Sequence, residues 1–256
     1  MDETPKTPAT ANGAQTYRHR LIALAKWVRR NAEISTLLVI AAGIVAVWAF
    51  AELADEVIEG GTQGVDRTLL LLLRTPGDLS DPIGPPYLEE MGRDLTALGG
   101  VVVLSLATCV AAGFFAIRKS YGTMLYVLVA TGGGIAFSTV FKQLFDRARP
   151  DLVPHGSMVY TASFPSGHSM MAAVVYLTLG ALIARVLPQR RLKSYVLSVA
   201  MLVTILVGVS RVYLGVHWPT DVLAGWLVGA AWAIVCLLVA RGLGRRGHMA
   251  PPLAQD

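Results

Sequence analysis

Eight residues in the C-terminal half have the types and spacing that phosphoryl chemistry uses: Lys142, Arg149, Ser166, Gly167, His168, Arg211, His217 and Asp221. Three fixed cations beside two histidines suit an anion with several oxygens, because Arg offers a planar fork of donors and Lys a mobile point charge. Phosphate meets that description. Pro165-Ser166-Gly167 reads as the opening of a helix whose first backbone N–H groups have no intrahelical partner and point at an anion. Ser166 can cap that helix and donate its hydroxyl to the same anion, and Gly167 lets the anion approach the backbone. Two histidines divide the work: one attacks phosphorus to form a phosphohistidine, the other protonates the leaving group. Asp221 follows His217 by four residues, so it is the expected partner of one imidazole N–H, which exposes the other nitrogen as nucleophile. His168 is then the acid, and Pro219 turns the chain from His217 into a new helix.

The competing readings are weaker. A binuclear metal centre needs several carboxylates, and only Asp146, Asp151 and Asp221 lie near, so neither metal nor cofactor is expected. His155 reads as a solvated loop residue, and Asp146 with Arg147 as an exposed ion pair worth little. Taken singly, Lys142, Arg149 and Arg211 are ordinary flanking or snorkelling cations and His168 a turn residue. Gathered at converging helix ends beside His217, they form a site.

The elements that must hold this site are read from composition. The 256-residue chain is 54% hydrophobic and 15% charged with a mean hydropathy of +0.55, against about 45–50% and about 25% for soluble domains. Disorder is excluded by that hydropathy, and a disulfide scaffold by a count of two cysteines. The fold class expected is an all-α bundle of six transmembrane helices, since about 20 apolar residues cross a bilayer: Ile34–Ala51, Leu95–Ile117, Tyr121–Phe141, Gly167–Leu187, Ser194–Leu214 and Pro219–Ala240. The site lies at the ends of helices 3 to 6. Residues 1–33 are expected to form a tail with a basic interfacial helix over Tyr17–Arg30, 34–241 the membrane domain, and 242–256 a second tail. Ala49-Phe50-Ala51 resembles a signal cleavage site, but the polar stretch before it is too long. Segment 52–94 is expected to be an outer loop whose leucine run, Leu69–Leu73, is too short to cross and forms an interfacial helix. Gly132–Gly134, Gly225 and Gly229 read as close helix packing, Cys109 and Cys236 as apolar filling, Trp226 as packing and Trp218 as an interface residue.

Orientation follows from the basic residues: 15 of the 22 fall on the side that holds both termini, which marks it as cytoplasmic and directs the site to the periplasm or cell exterior. The net charge of +5 does not signal nucleic acid, because the cations lie in short clusters between apolar runs.

The residues Lys142 to Pro150, Pro165 to His168 and Ser210 to Asp221 read K-x6-R-P, P-S-G-H and S-R-x5-H-x3-D. This three-part pattern resembles the signature of the type 2 phosphatidic acid phosphatase superfamily, in its membrane lipid phosphatase branch. The resemblance implies a metal-independent enzyme in which Lys142, Arg149, Ser166, Gly167 and Arg211 hold phosphoryl oxygens, His168 is the acid, His217 the nucleophile and Asp221 its orienter. The expected partners are a lipid phosphate or diphosphate substrate and membrane lipids. The alternatives are a lipid-to-lipid phosphotransferase sharing the covalent step and, in a different class, an anion transporter. A transporter places its charges near the midplane, whereas these lie at one surface.

Overall fold

The structure, a computed structural model, describes residues 32–151 and 162–245. The proposed interfacial helix at Tyr17–Arg30, His155 and most of the C-terminal tail lie outside the described residues. The chain divides into two units: residues 1–42, where only the first turns of α1 are described, and Gly43–Asp256, which holds everything discussed below.

In chain order the elements are α1 (Ala32–Glu59), α2 (Gln63–Leu71), β1 (Arg74–Thr75), β2 (Asp78–Pro82), α3 (Pro86–Ala97), α4 (Val101–Ile117), α5 (Tyr121–Leu144), α6 (Gly167–Val186), α7 (Arg190–Tyr213) and α8 (Pro219–Arg245). Among the described residues five helices are long and apolar enough to cross a membrane, or six when α3 and α4 count as one bent span. Val101, Val102, Leu106, Val110 and Ile117 face outward along α4, an arrangement costly in water and natural in lipid.

α6 is the central helix. Half of its apolar stretch is buried, against 22% for α7, and it packs on α5, α7 and α8. Small residues permit this: a Cβ on Gly225 would sit 2.7 Å from the Ser166 carbonyl oxygen, and one on Gly229 2.5 Å from that of Met170. The glycines therefore seat α8 directly on the backbone of α6. Trp226 donates Nε1–H to the Thr204 carbonyl at 3.0 Å and joins α8 to α7.

Three features depart most from the sequence reading. The first helix continues two turns past Ala51 to Glu59. The second expected span is broken: α3 and α4 are bent by 42° around Leu98–Gly100, because Gly99 and Gly100 propagate a helix poorly and Gly100 takes an extended conformation (ψ 154°) that starts α4 afresh. The segment after α1 also holds, beside the helices α2 and α3, an antiparallel hairpin pairing Thr75 with Asp78. Its Arg74, buried, donates to the carbonyls of Val212 and Tyr213, a cation placed on the C-terminal end of α7.

Candidate active site

The spacing of S-R-x5-H-x3-D has a local backbone cause. α7 ends in a Schellman motif: the Val216 N–H reaches back to the Arg211 carbonyl (3.1 Å) and the Gly215 N–H to that of Val212 (2.9 Å). Gly215 sits at φ +71°, a conformation that disfavours a side chain. The reversed chain delivers His217 just before Trp218, and Pro219 occupies the first position of α8, where its missing N–H costs nothing. Asp221 is then third in the helix, and its Oδ2 accepts the Trp218 N–H at 2.9 Å, one half of a capping box. The same carboxylate oxygen faces His217 Nδ1 at 3.3 Å.

His217 is 1% exposed and Asp221 is fully buried. On the other side of the imidazole, Arg149 Nη1 lies 3.2 Å from Nε2 and also donates to the Val216 carbonyl at 2.9 Å. A guanidinium only donates, so Nε2 must accept. The ring proton therefore sits on Nδ1, pointing at Asp221, and the Nε2 lone pair faces the cations. Burial pushes the His217 pKa down to about 4, opposed by Asp221 and reinforced by Arg211 and Arg149. The imidazole is thus uncharged at neutral pH. Burial also lowers the Arg149 pKa.

The other pieces arrive from three directions. Ser166 is the N-cap of α6, accepting from the Ser169 N–H at 3.5 Å and the Ser169 hydroxyl at 2.9 Å; its own N–H donates to the Asp221 carbonyl at 2.9 Å, which ties α6 to α8. A Cβ on Gly167 would lie 3.5 Å from Lys142 Nζ, so the ammonium approaches the bare first turn of α6. Arg211 donates Nη1–H to Thr96 at 2.9 Å and keeps a buried Nε without a partner among the described residues. His168 lies within electrostatic reach of Arg211, His217, Lys142 and Arg149. Phe164, fully buried before Pro165, stacks on Phe50 and meets Phe145 edge to face, which anchors the chain entering the Ser166 turn.

All eight residues read from the sequence therefore surround one spot at the meeting ends of α5, α6, α7 and α8. The structure adds others. Arg147 is not the exposed partner of Asp146: it bridges Asp221 Oδ1 at 2.6 Å and Asp66 Oδ2 at 2.7 Å, and only 14% of its side chain is exposed. Asp146 points to solvent instead. Ser163 donates its hydroxyl to Asp221 Oδ2, and the break between α3 and α4 leans on the site, since a Cβ added to Gly99 would lie 3.3 Å from that of His168. Trp218 sends Nε1–H to the Ala148 carbonyl at 3.1 Å and lies under Arg147. A cavity of about 350 Å³ is lined by Arg149, Arg147, Arg67, Asp66, Asp151 and Trp218 among others.

Fold and site together define a multi-span helical membrane protein that gathers cations, a helix N-terminus and a carboxylate-oriented imidazole at one end of its bundle. The chain belongs to the PAP2 superfamily, whose family profile matches residues 123–245. It is 40% identical over 151 residues to phosphatidylglycerophosphatase B of Bacillus subtilis (strain 168), covering 57% of this chain and 72% of that protein. It is 26% identical over 212 residues to lipid A 1-phosphatase of Rhizobium etli, covering 73% and 86%. The crystal structure of the transmembrane PAP2-type phosphatidylglycerolphosphate phosphatase from Bacillus subtilis superposes with a TM-score of 0.67 at 32% identity, covering 80% of this chain and 96% of that one.

Proposed function

We propose that this protein hydrolyses a lipid phosphate monoester or diphosphate through a phosphohistidine on His217. The observation that carries this reading is the imidazole itself: Nδ1–H is committed to Asp221 while Nε2 faces Arg149 in a cationic pocket. Lys142, Arg149, Arg211 and the N–H groups at Gly167 balance the phosphoryl oxygens. Nε2 attacks phosphorus, the bond from phosphorus to the leaving oxygen breaks, and His168 gives that oxygen a proton. Water then attacks the phosphohistidine, His168 takes the water proton, and the P–N bond breaks to release inorganic phosphate and free His217. A site at the ends of spanning helices lets the acyl or prenyl tails stay in the bilayer while the head group enters. The named relatives act on such head groups.

The purified protein, assayed in excess chelator against phosphatidylglycerophosphate, undecaprenyl diphosphate, phosphatidic acid and lipid A phosphate, is expected to release inorganic phosphate from at least one, and His217→Ala from none. Phosphate appearing on a second lipid instead of in solution would identify a phosphotransferase, and a re-addable metal requirement would overturn the metal-free chemistry. The pocket is proposed to face the periplasm or cell exterior, with both termini on the cytoplasmic side of the inner membrane. In a variant lacking Cys109 and Cys236, Ser80→Cys should react with an impermeant thiol reagent in intact cells and Gln189→Cys only after lysis. The opposite pattern inverts the topology.

A further inference from the structure

Arg147 falls between two residues of the phosphate pocket pattern, yet its hydrogen bonds go to a different set of partners. One of its nitrogens, Nη1, donates to Asp221 Oδ1 (2.6 Å) and to the Thr220 hydroxyl (2.8 Å); the other, Nη2, donates to Asp66 Oδ2 (2.7 Å) and the Thr62 hydroxyl (3.2 Å). Asp66, fully buried on α2, also accepts the Thr220 N–H at 3.0 Å and the Thr220 hydroxyl at 2.6 Å. A single guanidinium is thereby clamped between two buried carboxylates, one from the segment after α1 and one beside His217. As a device for stability alone this is a poor bargain, since desolvating such charges offsets most of their attraction.

Its geometry has a more specific consequence. The carboxylate of Asp221 is met on Oδ2 by His217 Nδ1, the Trp218 N–H and Ser163, all from the connections leading into α6 and α8. On Oδ1 its only partner among the described residues is Arg147. Arg147 therefore sets the rotation of the carboxylate plane that aims Oδ2 at the imidazole, and its positive charge offsets the negative charge that His217 feels. His217 is faced otherwise by Arg149, Arg211 and His168.

We infer that Arg147 and Asp66 are positioning residues of the phosphoryl-transfer site: Asp66 holds the guanidinium, and the guanidinium fixes the Asp221 carboxylate against His217 and moderates its charge. The segment after α1 is on this view part of the active centre, linked to the nucleophile through two ion pairs. The inference rests on the roles proposed above for His217 and Asp221.

The test uses the full-length protein in lipid nanodiscs with Arg147→Gln, Arg147→Lys and Asp66→Asn. Misplacement of a catalytic group by about 1 Å costs on the order of 100-fold, so Arg147→Gln should lower kcat by about that factor and leave KM within about threefold, the mark of an interaction used in the transition state. Removing a cation also favours the protonated imidazole, so the acid limb of the kcat profile should move toward neutral pH. Arg147→Lys keeps the charge without the two-pronged fork; it should return the limb to its original position while kcat stays low. Asp66→Asn should lower kcat as Arg147→Gln does but, by removing an anion, displace the limb and the His217 titration the opposite way, and the double variant should have a kcat no worse than Arg147→Gln alone. The NMR titration of the His217 ring, with isotope-labelled histidine, reads the charge effect with no turnover, so it decides the inference even if none of the lipids is a substrate. If Arg147→Gln does not fold, Asp66→Asn is read on the titration and Arg147→Lys on kcat alone. For Arg147→Gln, a kcat within threefold together with an unmoved His217 titration overturns the inference. So does a lowered kcat in Arg147→Gln with neither limb nor titration displaced, which is the behaviour of a merely structural salt bridge.

Discussion

Replacing Asp221 by Asn keeps the shape of the side chain and changes only where protons can go. In the structure its two oxygens receive only donors: Arg147 Nη1 on Oδ1, and the Trp218 N–H, the Ser163 hydroxyl and the His217 Nδ1–H on Oδ2. An amide has one accepting oxygen. If its nitrogen faces Arg147, two donors confront each other at a contact of 2.6 Å, a buried mispairing with a charged group that costs about 3 kcal/mol. If its nitrogen faces His217, the Trp218 N–H loses its acceptor, Nδ1 must become the acceptor, and the ring proton moves to Nε2. There it meets Arg149 at 3.2 Å, donor against donor, and the lone pair needed for attack is gone. The same exchange in the Ser-His-Asp triad lowers kcat about 10⁴-fold by imposing the wrong tautomer. The two orientations therefore bracket the loss for Asp221→Asn between about 10² and 10⁴, or about 3 to 5.5 kcal/mol. Initial rates of phosphate release, with thermal unfolding to confirm that the variant is folded, measure it. A folded Asp221→Asn protein retaining more than a tenth of wild-type kcat would refute the tautomer argument.

The depressed pKa of His217 makes stability depend on pH. With an ordinary value of 6.5 in the unfolded chain and about 4 in the folded one, the unfolded state takes up the proton first as pH falls. The contribution is fully present above 6.5 and is lost between 6.5 and about 4, at no more than about 1.4 kcal/mol per pH unit. The unfolding midpoint in detergent should accordingly drop more between pH 7.5 and 5 for wild type than for His217→Gln, and equal slopes would contradict it. Gly225→Ala places a Cβ 2.7 Å from the Ser166 carbonyl oxygen, whereas the same change at Gly132 meets nothing within 4 Å. The first should destabilise by about 1–3 kcal/mol and reduce activity by displacing the α6 N-terminus, and the second should be neutral or stabilising. Similar melting temperatures for the two would show that α8 is not seated on α6 as described.

The sequence is most legible where chemistry and local backbone coincide. His217 and Asp221 are four apart because a Schellman turn, Pro219 and a helix N-terminus leave few other arrangements, and Ser166-Gly167 announces a helix start on its own. The long apolar runs set the spanning helices with equal clarity, since lipid imposes their length. Contacts between distant segments leave no such trace. The partners of Arg147 are 74 and 81 residues away in sequence, and the adjacent Asp146 offers a more obvious but wrong pairing. Asp66 sits on a helix that reads as a leucine-rich surface element. Ser163 looks like any small loop residue beside the Pro165 turn. The kink at Leu98–Gly100 is disguised by apolar residues on both sides, and only the Gly99-Gly100 pair hints that the second span would break and lean on His168.

The central claim is that His217 Nε2 carries the phosphoryl group. Wild-type protein turning over a ³²P-labelled lipid phosphate, quenched in alkaline detergent to preserve an acid-labile phosphoramidate, can be digested and its labelled peptide sequenced by mass spectrometry. The label is expected on the peptide containing His217, to be discharged by acid, and to be lost in His217→Ala but retained at a reduced rate in His168→Ala. Label on His168, or full turnover from a protein that never becomes labelled, would contradict it.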